Sequence, residues 1–274
     1  MLKLMYITND PEIAVIAAEN GVDIVFVDME VLGKSERQCG MDTVQSHHTV
    51  EDISKVKKAL KGKAQVMVRL NPLNVDSKTE IDSAIENGAD ILMLPMWRTA
   101  DDLRRFSAMV EGRAKTMPLL ETDSAAVNLA EALSVPGIDM MHIGLNDLHL
   151  CLNMKFMFRL LADGTVEKLL KTIQFAEIPC GFGGVGRPGS GTLPADYIVA
   201  EHVRLGSQFV ILSRSFCNTA IITDKNEIRE IFRNGVADIR RIEKECSCWT
   251  SDRFEENRLK VVSCVDKIEE GINK

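Results

Sequence analysis

Short apolar runs alternate with longer amphipathic stretches along the whole chain, and this alternation predicts its architecture. Strand-length runs fall at residues 3–8, 23–28, 64–70, 90–95, 116–121, 140–144, 178–183 and 208–213. Several are rich in Val or Ile, and most are entered through a Gly or Pro turn. Gly21-Val22-Asp23, Gly88-Ala89-Asp90 and Pro136-Gly137-Ile138-Asp139 precede the second, fourth and sixth runs. Each reads as a glycine closing a helix, followed by entry into a strand. Helical periodicity occupies the intervals, as at 50–60, 78–87, 100–110, 124–133 and 194–205. Start signals are Asp10-Pro11, Thr49 with Asp52, Ser77 with Glu80, and Thr99 with Asp102.

Eight strands alternating with helices imply a parallel α/β sheet. Strands apolar on both faces suit a closed (β/α)8 TIM barrel, with an open doubly wound sheet as the alternative. Three segments exceed the minimal plan. Residues 31–48 form a long polar loop after the second strand, residues 148–161 add a short apolar helix, and two helices follow Asp224, the second over 252–272. Ile228, Ile231, Phe232, Val236, Ile239 and Ile242 form a stripe at helical spacing, which fits packing on the barrel or a contact between subunits. This reading gives a barrel domain over 1–245 and a helical extension over 246–274, lying on the barrel or on a neighbouring subunit.

At 274 residues, the chain is long enough for one large domain. Its net charge of −7 supplies no basic face for nucleic acid or an anionic membrane. No apolar run is long enough to span a bilayer, and the first residues lack the features of a secretory leader. Seven scattered cysteines, an odd number, read as reduced thiols of a cytoplasmic protein. Cys246-Ser247-Cys248 lacks the spacing of a zinc or redox pair.

Barrels of this kind place their chemistry at the C-terminal ends of the strands. Those ends carry Asp28 and Glu30, Arg69, Pro95 and Met96, Glu121, Asn146 and Asp147, Gly183-Gly184-Val185-Gly186-Arg187, and Ser213-Arg214. Glu121 and Asp147 stand on adjacent strands at one height. They would either hold a hard cation such as Mg2+ or Mn2+, or cap the helices that follow them. Arg69 would receive the anionic part of an oxo acid, or form an ion pair with Asp28 or Glu30. The glycine run before Arg187 could cradle an anion or simply turn the chain.

Leu119-Leu120-Glu121-Thr122, Val135-Pro136-Gly137-Ile138-Asp139 and His142-Ile143-Gly144-Leu145-Asn146-Asp147-Leu148 resemble the core of the HpcH/HpaI aldolase and citrate lyase β-subunit family. Asp28-x-Glu30, Val68-Arg69 and Leu94-Pro95-Met96 fall in the matching order upstream, and the resemblance runs from about residue 10 to 215. It implies that Glu121 and Asp147 ligate a divalent metal (Mg2+, Mn2+ or Co2+), which a 2-oxo acid such as pyruvate chelates. It implies further that Arg69 steadies the enolate and that the Asn146 and Asp147 amides hold the acid's carboxylate. Pro95 and Met96 would shape the pocket, and Glu30 would orient water on the metal. The family's aldolases carry a histidine after Asp-x-Glu, and its citrate lyase branch an acidic residue, whereas Val31 stands here. Leu119 likewise replaces a common polar residue. His47 or His48, returning from the long loop, or water on the metal would then be the base, unless both histidines are merely solvated.

The leading expectation is reversible aldol cleavage of a 4-hydroxy-2-oxo acid to pyruvate and an aldehyde. Lys34, Arg37, His47, His48, Arg187 and Arg214 could receive a sugar-derived or anionic aldehyde end. The alternatives are a thioester lyase acting on citryl- or malyl-CoA-like compounds and a non-catalytic binder of 2-oxo acids. The resemblance also implies a homo-oligomer, because the family often exchanges a final helix.

Overall fold

The apolar runs fold as parallel strands around a common axis: β1 (Lys3–Ile7), β2 (Ile24–Asp28), β3 (Gln65–Arg69), β4 (Ile91–Met93), β5 (Lys115–Thr116), β6 (Leu119–Leu120), β7 (Met141–Ile143), β8 (Cys180–Val185) and β9 (Phe209–Leu212). This computed structural model describes residues 1–33, 48–189, 191 and 193–272. The strand order is β5-β4-β3-β2-β1-β9-β8-β7-β6, so the sheet begins and ends on consecutive segments.

Those two segments are halves of the single predicted fifth strand, interrupted at Met117-Pro118. Proline has no N–H and removes one ladder bond. The chain nevertheless bonds on both sides. Met117 and Leu119 donate to Leu92 O and Leu94 O, both at 2.9 Å, while the Pro118 carbonyl accepts from His142 N at 3.1 Å. The barrel is therefore closed, and the open doubly wound alternative is set aside.

Alternate strand residues face inward, because side chains on a strand change face at every position. Met5, Ile24, Phe26, Met67, Ile91, Met93, Met117, Leu119, Met140 and Phe209 fill the barrel. The opposite phase, including Tyr6, Val25, Val68, Leu92, Ile143 and Val210, joins the layer under the helices. Five of the ten interior residues are methionine, whose unbranched thioether fills irregular space. Continued upward, the inward phase reaches Asp28, Arg69 and Glu121. The barrel thus passes from apolar to charged at its C-terminal mouth.

Among the described residues, the helices begin with α1 (Pro11–Glu19), α2 (Val50–Leu60), α3 (Ser77–Glu86), α4 (Ala100–Val110), α5 (Asp123–Val127) and α6 (Leu129–Ala132). They are followed by α7 (Leu145–Cys151), α8 (Arg159–Ala162), α9 (Thr165–Phe175), α10 (Ala195–Arg204), α11 (Lys225–Cys246) and α12 (Ser251–Ile272). Asp10 caps α1, and capping boxes start α2 and α4 as their sequences predict. The start of α3 differs, since Asp76 is its cap and Ser77 is already helical. Glu80 is drawn away to Asn71 and Asn74 instead of closing a box. The predicted helix over 124–133 is two short ones meeting at Asn128. The segment over 148–161 also holds more than one short helix, α7 and α8.

The α11 stripe packs on the chain's own barrel. All six of its predicted residues are buried, and Phe232 meets Tyr6 edge-on at 4.8 Å between ring centroids. Helix α12 lies over α10 and α8. Asn257 donates to Glu201 Oε1 at 2.8 Å and Tyr197 O at 3.1 Å, and Arg159 pairs with Asp266 and Glu269 at 2.7 and 2.6 Å. Among the described residues, no helix is long and apolar enough to cross a membrane.

Candidate active site

Strands β2 and β3 pair in register with Asp28 opposite Arg69, and both side chains point into the mouth. Arg69 donates from Nε to Asp28 Oδ1 and from Nη2 to Asp28 Oδ2, each at 2.8 Å. This is the planar two-point contact that guanidinium and carboxylate groups favour. Glu30 Oε2 lies 3.4 Å from the same Nε, and the guanidinium rests over the Phe26 ring at 5.4 Å. Burial disfavours the charge on Arg69, but Asp28, Glu30 and Glu121 outweigh it and hold the group protonated. The ion pair expected as one reading of Arg69 is formed.

Asp28 also organises the backbone. Its Oδ1 accepts from Glu30 N at 3.2 Å, and its own N–H donates to His48 Nδ1 at 2.9 Å. That N–H faces the side where β1 has already ended, so an imidazole nitrogen takes the place of a strand carbonyl. Nδ1 is therefore an acceptor, and the proton of neutral His48 resides on Nε2. Lys34, Arg37 and His47 lie outside the described residues.

Across the mouth, Glu121 follows β6 and Asp147 lies in the first turn of α7. Both are buried. The helix-cap reading of Glu121 is excluded by its neighbour. Thr122 caps α5, accepting from Ala125 N at 3.0 Å and donating to Trp97 O at 2.9 Å. Gly144 is the cap of α7, with no side-chain cap bond. Burial foremost, then Asp147, pushes Glu121 up to about 8, against the opposing pull of Arg69.

Two features fix the Glu121 carboxylate. Met96 N donates to Oε1 at 3.1 Å, and Met96 adopts φ of 55°, a left-handed conformation uncommon for a side-chain-bearing residue. On the other flank, a Cβ at Gly144 would sit 2.9 Å from Glu121 Oε2, so only glycine leaves the carboxylate its room. Leu119 is buried among the interior residues, and its Cδ1 would lie 3.2 Å from the same Cβ. The residue replacing the family's common polar group is thus apolar floor. One layer down, His142 is fully buried, lowered to about 4 by that burial, with Nε2 at 3.0 Å from Gly183 O.

Asp28, Glu30 and Glu121 act on Arg69, and Asp147 acts on Glu121, leaving more acid than base if all ionise. Such a set suits a hard divalent cation held by two carboxylate oxygens, its other positions being left to water and ligand. Among the described residues, no group of three or more His, Cys, Asp or Glu side chains is placed to hold a metal ion together.

Pro95 is buried and Met96 half-buried beside Glu121, and Asn146 lies in the first turn of α7 next to Asp147. Arg187 and Arg214 are exposed beyond the ends of β8 and β9, and the Arg187 stem lies near Gly235 of α11. Asn71 had no expected role. Its Oδ1 accepts from Val31 N at 2.9 Å and Leu32 N at 3.0 Å, tying the turn after Glu30 to the end of β3. Its signal was an Asn before Pro at a strand end, a frequent local hydrogen-bonding position.

The family model described as HpcH/HpaI aldolase/citrate lyase matches residues 3–157. No curated protein matches the chain. Among solved structures, the HpcH/HpaI aldolase from Desulfitobacterium hafniense DCB-2 is 17% identical with a TM-score of 0.61, covering 77% of this chain and 86% of that one. An HpcH/HpaI aldolase/citrate lyase family protein from Burkholderia cenocepacia J2315 is 15% identical, with a TM-score of 0.62 and coverage of 83% and 94%. Citrate synthase SbnG is 14% identical, with a TM-score of 0.60 and coverage of 82% and 93%. At these identities, the likeness to solved structures establishes the barrel fold.

Proposed function

This chain belongs to the HpcH/HpaI aldolase/citrate lyase family, and from that premise we propose that it is a metal-dependent carbon–carbon lyase cleaving a 4-hydroxy-2-oxo acid reversibly into pyruvate and an aldehyde. The observation that carries this reading is the Glu121–Asp147 pair, two buried carboxylates of which one is raised to about 8. They would hold Mg2+, Mn2+ or Co2+, and the cation would supply Lewis-acid stabilisation of the negative charge that grows on the keto oxygen.

The chain's own residues then have distinct tasks. Arg69, fixed by Asp28, presents positive charge to the developing enolate without reorganising. The Asn146 and Asp147 amides receive the acid's carboxylate, and Pro95 and Met96 bound the pocket. In the condensation direction, a proton leaves the pyruvate methyl for a water ordered by Glu30. The resulting carbon attacks the aldehyde carbonyl, forming the new bond, and the alkoxide takes a proton back.

His48 is not the base in this arrangement. Nδ1 is engaged by the Asp28 N–H and Nε2 carries the proton, so no lone pair remains to accept one. It acts as a positioning residue for Asp28 and, through it, for Arg69. Arg187, packed towards α11, is left without a substrate role in this reading.

Pyruvate release from a 4-hydroxy-2-oxo acid should cease on full chelation with EDTA and return with Mn2+. Release that persists after chelation would rule the mechanism out. Val31, where the family carries a base, supports a second reading as a non-catalytic 2-oxo-acid binder. Metal-dependent pyruvate binding without deuterium exchange at its methyl group would establish that reading.

A further inference from the structure

We infer that the electrophile accepted by this site carries an unbranched apolar tail, received by Val31 and Leu32, which the Asn71 carboxamide fixes at the mouth beside Arg69. The identity of that ligand as an aldehyde rests on the lyase reading above. The apolar surface itself rests on the geometry alone.

Val31 directly follows Glu30, whose carboxylate lies 3.4 Å from Arg69 Nε. The turn carrying Val31 and Leu32 is held by two side chains, Asp28 and Asn71. Asp28 Oδ1 accepts from Glu30 N at 3.2 Å, and Asn71 Oδ1 accepts from Val31 N and Leu32 N at 2.9 and 3.0 Å. Asn71 is anchored in turn. Its N and Nδ2 both donate to Glu80 Oε2 at 3.3 Å, and Glu80 Oε1 accepts from Asn74 Nδ2 at 3.2 Å. The displaced helix-start residue Glu80 thus serves as the foot of this brace.

The brace presents two apolar side chains to solvent. Val31 is 54% exposed and Leu32 is 47% exposed, and neither joins either hydrophobic core. An adjacent apolar pair held at the surface by a braced backbone, one residue from a buried charge cluster, suits a binding wall. The wall and the charges divide the mouth into two chemistries. A carbonyl belongs beside Arg69, and an aliphatic tail belongs on Val31 and Leu32. A polyhydroxylated aldehyde would lose its hydration against that wall and gain no hydrogen bond from these two side chains.

The test is a chain-length series in the condensation direction, using pyruvate, Mn2+ and acetaldehyde, butanal or hexanal, with glyceraldehyde as the polar comparison. For the wild type, kcat/KM should rise about three- to fourfold for each methylene that reaches the wall. Val31→Thr and Leu32→Asn should flatten the series through KM, and glyceraldehyde should be the poorer substrate. A flat wild-type series, a preference for glyceraldehyde, or variants that retain the full slope would overturn the inference.

Methyl NMR separates this inference from the lyase reading. Hexanal should shift the Val31 and Leu32 methyl resonances and glyceraldehyde should not, whether or not the pyruvate methyl exchanges deuterium. Absent exchange with shifted methyls would defeat the lyase reading alone. Unmoved methyls would defeat the wall.

Discussion

The two sides of the barrel mouth carry the same kind of side chain under opposite electrostatic conditions. On the β2–β3 side, Asp28 and Glu30 have Arg69 between them at 2.8 and 3.4 Å. On the β6–β7 side, Glu121 and Asp147 face each other, and burial with mutual repulsion drives Glu121 up to about 8. Carboxylates that share a depth thus divide into a pair neutralised from within the fold and a pair whose charge must be met by something added. In the proposed function the first side is scaffold for the second, because a fixed guanidinium is useful only if it stays put while the other half changes charge.

Breaking the uncompensated side should have the largest effect. Glu121→Ala or Asp147→Ala should lower lyase kcat/KM by about a thousandfold, the loss of several kcal/mol of charge stabilisation. Isothermal titration with Mn2+ should show the binding heat vanish in parallel. Variants that keep tight Mn2+ binding would show that the cation sits elsewhere.

Removing the internal counter-charge should show mainly in stability. Arg69→Ala strands Asp28 and Glu30 in a buried site and should cost about 3–5 kcal/mol in urea unfolding. Arg69→Lys keeps the charge but not the two-point contact to Asp28, so it should recover only part of that loss. Equal stability of the two variants would mean that the fork geometry contributes nothing.

The contrast also has a pH signature in metal-free protein. Glu121 titrates near 4.5 ordinarily and near 8 when folded. The unfolded chain therefore releases its proton first. Folding stability should fall as the pH rises from about 4.5, levelling off above about 8. Buried His142 and His202, lowered to about 4 and about 3 by burial, oppose this trend by costing stability as the pH drops below 6.5. The difference in Tm between wild type and Glu121→Gln isolates the carboxyl. It should be near zero at pH 5 and favour the variant at pH 8, and Mn2+ should restore the wild type. A pH-independent difference would show that Glu121 keeps an ordinary affinity for its proton.

The smallest effect sharpens the geometry. Gly144→Ala places a methyl group against Glu121 Oε2 and should weaken Mn2+ binding about tenfold, the scale of a disturbed ligand orientation. Titration calorimetry of the folded variant measures it, and unchanged affinity would mean that the carboxylate can rotate away.

Much of this layout could be read from the sequence. The barrel strands were legible because inward and outward positions are both apolar, and Glu121 and Asp147 because strand ends collect chemistry. What sequence withholds is register and competition between partners. That Asp28 falls opposite Arg69, so that the guanidinium is held in an ion pair, depends on the alignment of β2 with β3. Ser77 and Glu80 match a capping box, yet Asn71 and Asn74 offer Glu80 stronger competition. The break at Pro118 hides in a run whose apolar pattern continues across it. Val31 reads as a missing base, and only the Asn71 bonds reveal that its backbone is held.

The methionines that fill the barrel beneath the charged layer have an evolutionary consequence. Met5, Met67, Met93 and Met117 are wholly enclosed, and a flexible thioether can trade places with leucine or isoleucine at a cost usually below about 1.5 kcal/mol. This apolar layer can drift by single substitutions while the carboxylates and guanidinium above keep their places.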